Sequence, residues 1–132
     1  MDPVESVKEK FAGDVFPQSL GITLEELSPG HSKVSMVLAP HMVNFHNIGH
    51  GGAIFTLADT AFGLASNSRG KKAVALTVTI NYISPAVPGA RLTATASEQC
   101  VQKKTAVYDI TVADENNRVI ALARGTCYYL LS

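Results

Sequence analysis

The spacing of apolar positions along this chain runs from helical to alternating, back to helical, and then to alternating up to the last residues. In VESVKEKFA, Val4, Val7 and Phe11 recur at three- and four-residue steps, predicting a short helix over residues 1–12 that Gly13 and Pro17 break. Ile22, Leu24 and Leu27 precede the turn triplet Ser28-Pro29-Gly30, after which Val34, Met36 and Leu38 alternate with polar or small neighbours. That pattern predicts a hairpin of strands 20–28 and 31–39, followed by a loop over 40–49. HGGAIFTLADTAFGLASNS is the longest helical pattern, with Ile54, Leu57, Ala61 and Leu64 in step and Gly70 as the stop. Thereafter AVALTVTINYI, the Leu92-Ala94-Ala96 run, 106–112 and 119–131 read as strands. The last three are joined by short turns, one at Asn116-Asn117, as an antiparallel meander.

The order helix, two strands, long helix, then about four strands predicts an α+β fold in one domain, residues 1–132, with residues 1–12 as an N-terminal helix. The long helix is apolar nearly all round and carries few charges, so it is expected to be buried with a curved antiparallel sheet wrapped around it.

On a wheel of about 100° per residue, Ala53, Ile54, Leu57, Ala61 and Leu64 form the expected core face. Asp59 falls nearly opposite, among Phe55, Phe62, Gly52, Gly63 and Ser66. A solvated face would carry Lys and Glu, so this one is expected to meet a ligand cleft or a second subunit. A carboxylate there is partly desolvated, which raises its pKa and suits a nucleophile or general base. His50-Gly51-Gly52 opens the same helix. The first amides of a helix lack internal partners, the dipole adds positive charge, and glycine lets a ligand approach closely. These features suit an oxyanion site. Eight residues separate Gly51 from Asp59, about 12 Å along a helix, so one carbonyl cannot touch both in one chain. Two antiparallel helices from a two-fold dimer would bring them together.

Composition removes several other functions. The chain is 46% hydrophobic and 17% charged, with zero formal net charge; there is no basic run for nucleic acid. It has no apolar stretch of the ~20 residues needed to span a bilayer and no N-terminal apolar segment of a signal peptide. Cys100 and Cys127 are far apart and are expected in the core as reduced thiols, which places the protein in the cytoplasm. His41, His46 and His50 match no metal-ligand spacing, so no metal is expected.

The segment VNFHNIGHGGAIFTLADTAFGLASNSRG, with TINYISPAVPGARLTATA and VALARGT, resembles the PaaI-type (phenylacetate-pathway) branch of the hotdog-fold thioesterases, over roughly residues 20–130. The pattern N-x5-HGG-x6-AD carries most of that resemblance. It implies a helix wrapped by an antiparallel sheet, homodimers or homotetramers with active sites at the subunit interface, and an acyl-CoA substrate, with no separate cofactor because coenzyme A is part of the substrate. By match to the motif, Asp59 is the catalytic carboxylate, the Gly51 N–H polarises the thioester carbonyl, His50 supports that loop, and Asn44 positions the carbonyl or the water. Thr77 is the candidate for a hydroxyl that some relatives place after the helix. Phe55 and Phe62 are expected to meet the acyl group. Arg69, Lys71, Lys72, Lys103, Lys104 and Arg124 are available for the coenzyme phosphates. Phenylacetyl or related aromatic acyl groups are expected, with medium chains as a further option. The competing readings are a hydratase or dehydratase of the same fold and a non-catalytic acyl-CoA-binding module.

Overall fold

The structure is a computed structural model, which describes residues 1–130; Leu131, expected in the last strand, lies outside the described residues. Helix α1 (Pro3–Ala12) starts at Asp2, whose carboxylate accepts from Glu5 N, with Pro3 placed where a helix needs no N–H. Pro17 does not simply break the pattern. It lies inside a second short helix, α2 (Val15–Ser19), within a first turn that tolerates proline, and it is buried. Strands β1 (Thr23–Ser28) and β2 (His31–Val37) form the expected hairpin. A 3-10 turn over Pro40–Met42 and a Val43–Gly49 bridge order the next loop. Then come α3 (Gly51–Ser66), β3 (Ala73–Tyr82), β4 (Arg91–Val101), β5 (Thr105–Ala113) and β6 (Val119–Tyr129).

The six strands form one antiparallel sheet in the order β1-β2-β4-β5-β6-β3. β4, β5 and β6 are the expected meander. The alternation of β3 carried no information on its partner: it pairs with β6, so the chain crosses from one side of the sheet to the other between Tyr82 and Arg91. β3 is thereby an edge strand, and it exposes Val74, Leu76 and Tyr82.

The sheet packs around α3, mainly through β2, β4 and β5. Ile54, Leu57, Ala61 and Leu64 are buried, as the wheel predicts, but so are Ala58, Phe62, Ala65 and Ser66. The buried arc is therefore centred roughly 50° further round the helix than the Leu57–Leu64 stripe suggests, at 100° per residue. That roll carries Phe62 off the outward face. Its ring is only 2% exposed and stacks, tilted, on Tyr108 at 5.8 Å between centroids. A Cβ at Gly125 of β6 would sit 2.8 Å from this ring, so glycine there is what gives Phe62 its room. The buried Ser32 donates to Ala61 O at 2.6 Å, joining β2 to α3. Cys127 is buried but Cys100 is exposed, because it follows the irregularity at the far end of β4. No helix among the described residues is long and apolar enough to cross a membrane.

Candidate active site

The two ends of α3 are fixed in different ways. At its C-terminus, the Asn67 amide donates to Gly63 O and Ala73 O and accepts from Ala73 N, closing the helix onto β3. Ser68 donates to Ala65 O and accepts from Gly30 N, tying in the β1–β2 turn. Gly30 has φ 77°, and a Cβ on it would lie 2.6 Å from the Glu98 carboxylate. At the N-terminus, His50 is the cap, and its Nδ1 accepts from Gly52 N at 2.9 Å. Ala53 N and Ile54 N donate to His50 O. Among the described residues this leaves the Gly51 N–H as the helix-terminal amide with no protein acceptor. Tyr82, at the end of β3, donates from its hydroxyl to Gly51 O at 3.0 Å, and its ring lies against Gly51. Sequence reading missed Tyr82, which only the β3–β6 pairing brings to the helix start.

Asp59 lies two turns further along, half-buried in the wall of a groove of about 990 Å³. The groove runs between α3 and the α1–α2 arm, past Phe55, Thr56, Asp59, Thr60 and Gly63 on α3 and past Val7, Lys10, Phe11 and Phe16 on the arm. Thr56 and Thr60 turn their hydroxyls back to the helix carbonyls of Gly52 and Thr56, so they offer the groove little polarity. Burial pushes the Asp59 carboxyl above its ordinary 3.8. Among the described residues no cation or hydrogen-bond donor touches that carboxylate, and desolvation is the only cause of the shift. An acid held this way is more basic than usual and unspent.

The remaining expected site residues are dispersed. Phe55 lines the groove with Asp59; Phe62 does not, for the packing reason given above. Asn44 Oδ1 accepts from His46 N and Ile48 N, so its carbonyl is committed to the loop and only its NH2 remains as a donor. Thr77 is exposed on β3, on the face opposite Val78 and Ile80, which pack on the core. Arg69 is bound through Nε and Nη2 to Glu98, and Arg124 is bound likewise to Asp109. Lys103 sits at the β4–β5 turn, away from the groove that Lys71 and Lys72 line. Among the described residues, no three His, Cys, Asp or Glu side chains are grouped as metal ligands.

With this geometry in hand, the similarity to known proteins has a definite meaning. The sequence profile of the Thioesterase superfamily matches residues 46–121, which include Gly51, Asp59 and Tyr82. A putative esterase of Archaeoglobus fulgidus is 44% identical over 126 residues, covering 95% of this chain and 82% of that protein. The acyl-coenzyme A thioesterase PaaI of Escherichia coli is 40% identical over 115 residues, covering 87% of this chain and 82% of that protein. Its solved structure superposes with a TM-score of 0.94, at 36% identity over 97% of this chain and 93% of that one. A Streptococcus mutans protein solved with acetyl-CoA superposes with a TM-score of 0.80, at 30% identity over 83% of this chain and 88% of that one. The α+β architecture and the helix wrapped in an antiparallel sheet are thus those of one lineage: the chain belongs to the thioesterase superfamily and is a hotdog-fold thioester hydrolase.

Proposed function

We propose that the chain is an acyl-CoA thioesterase whose site forms between two subunits, with Asp59 of one facing the Gly51 amide of the other. The observation that carries this reading is the unspent, desolvated Asp59 eight residues along the same helix from the terminal Gly51 amide, which has no protein acceptor among the described residues. About 12 Å of helix separates them within a chain, too far for one thioester carbonyl. The exposed apolar edge of β3 supports a two-fold partner, since Val74, Leu76 and Tyr82 would otherwise meet water.

In the proposed reaction the thioester carbonyl oxygen accepts a hydrogen bond from the Gly51 N–H. The positive end of the α3 dipole adds to it as negative charge develops on that oxygen. His50, by capping Gly52, holds the terminus in place, and Tyr82 anchors Gly51 from β3. The Asn44 NH2 is left to position the carbonyl or the water. Asp59 either takes a proton from water as it attacks, or attacks the carbonyl carbon itself to form a mixed anhydride that water then hydrolyses to the free acid and the Asp59 carboxylate; either route expels the thiolate of coenzyme A, which takes up a proton. The carboxylate must be ionised, so activity rises with pH through the raised pKa of Asp59 and reaches its plateau above it.

For the coenzyme phosphates, Lys71 and Lys72 are favoured because they line the groove, whereas Arg69 and Arg124 are engaged in ion pairs. The acyl group is proposed to be phenylacetyl or a related aromatic group, next to Phe55. Both cysteines are free thiols, which supports a reducing compartment such as the cytoplasm.

The test is thiol release from a panel of aromatic and aliphatic acyl-CoAs by the purified protein, with Asp59→Asn as control. Release from aromatic esters that vanishes in the variant is expected. Silence across the panel, or undiminished release by the variant, would overturn the proposal.

A further inference from the structure

The groove beside Asp59 has a second wall that the chemistry above does not use. The α1–α2 arm supplies Val7, Phe11, Phe16 and Pro17 across from Phe55 and Asp59. Phe11 and Pro17 are buried and fasten the arm to the body, and Gln18 Nε2 donates to Phe11 O at 2.9 Å, locking α2 onto α1. Leu20 N and Ile22 N both donate to Pro17 O, so α2 is also held on its far side. Phe16 is different: it sits between these anchors, on the groove, yet 64% of it is exposed. A ring left in water forgoes the stabilisation that its burial would bring. The space it borders falls within the size range of small-molecule sites and contains the reactive carboxylate.

We propose that the α1–α2 arm is the acyl-selecting wall of this enzyme, with Phe16 covering the acyl group from the side opposite Phe55. The inference rests on the thioester reading of Asp59 and adds the determinant of substrate size. An aromatic or long acyl group lies between the two rings and buries both, gaining offset or edge contacts as well as area. A two-carbon acyl group is too short to span the groove and gains little from Phe16. The arm therefore sets which thioesters bind well, and Asp59 sets how fast they react.

The experiment compares wild-type protein, Phe16→Ala and, as a control on the same short helix but off the groove, Val15→Ala, which is 77% exposed. The readout is the ratio of kcat/KM for phenylacetyl-CoA to that for acetyl-CoA. Phe16→Ala should lower the ratio about tenfold, through KM, the size of effect a lost apolar contact has on substrate choice. Val15→Ala should leave it unchanged. An unchanged ratio in Phe16→Ala overturns the proposal, as does a shift in sedimentation of that variant, which would make Phe16 a subunit contact. Calorimetric titration of the proteins with phenylacetate keeps the test independent of turnover. Binding weakened about tenfold by Phe16→Ala supports the wall even if no thioester is hydrolysed, a result that would sink only the reaction assigned to Asp59. Equal binding, or none by the wild type, removes the wall.

Discussion

On the outward side of α3, Asp59 stands half-buried with no donor for its carboxylate among the described residues, whereas beyond the end of the same helix Glu98 is gripped by Arg69 and touched by the Tyr108 hydroxyl. The two acids shift in opposite directions. Desolvation lifts Asp59 above its ordinary 3.8, and hydrogen bonding from Arg69 holds Glu98 below its ordinary 4.5. The sign of each shift assigns a consequence. A lowered carboxyl stabilises the fold above its unfolded pKa, and that contribution is lost as pH falls through the folded value. A raised carboxyl costs stability once pH exceeds its unfolded pKa, and the cost is complete above the folded value. Glu98 is thus spent on tying β4 to the segment that follows α3 through Arg69, while Asp59 is maintained at a cost to the fold.

The contrast predicts that substitutions on the outward side change rate and spare stability, and that those on the inward side do the reverse. The largest effect belongs to Asp59→Asn, which should lower thioester turnover by about 10³-fold, within the range for removing a general base. Its melting temperature at neutral pH should equal or exceed that of the wild type, because the cost of the buried charge disappears. Next comes Gly125→Ala, which forces a Cβ to 2.8 Å from the Phe62 ring and should cost about 1–3 kcal/mol by thermal denaturation. Turnover per folded molecule should hold. Glu98→Gln should cost about 1 kcal/mol near pH 7, since the pair with Arg69 is partly solvent-exposed. The deficit should shrink as the pH is lowered below 4.5, where Glu98 of the unfolded chain takes up a proton, and vanish once the pH falls through the lowered value of the folded state. Smallest is Tyr82→Phe, which frees Gly51 O from its hydroxyl donor and should lower kcat roughly threefold, as expected for one neutral hydrogen bond acting at a distance.

How far this contrast could be read from sequence follows from the range of each signal. The elements themselves were legible because their signals are local: the period of Val34-Met36-Leu38, the Pro29-Gly30 turn, and the glycine pair opening α3 all act within a few residues. Asp59 was legible for the same reason, as a lone charge among apolar neighbours on one helix face. The partner of β3 was not, because strand alternation is the same whichever edge it joins, and with it went Tyr82 and its hold on Gly51. Phe62 was placed on the wrong face because a helix of alanines and leucines defines its inward direction loosely, and the deciding contact, the missing Cβ of Gly125, lies 63 positions away. The α1–α2 arm read as an ordinary amphipathic start with a breaker, since nothing local says that Phe16 borders the groove of Asp59.

The central claim, that Asp59 and the Gly51 amide of one site belong to different chains, is tested most directly by subunit hybrids. Gly51→Pro deletes that N–H at the first helical position, where proline is well tolerated and where the extended His50 before it is compatible. Asp59→Asn and Gly51→Pro homomers should each be nearly inactive. Unfolded together in equal amounts and refolded, they should recover about a quarter of wild-type thiol release, because about half of the two-fold pairs are hybrids, each with one of two sites intact. Recovery near that level fits a shared site; hybrids confirmed by mass that stay as inactive as their parents would contradict it.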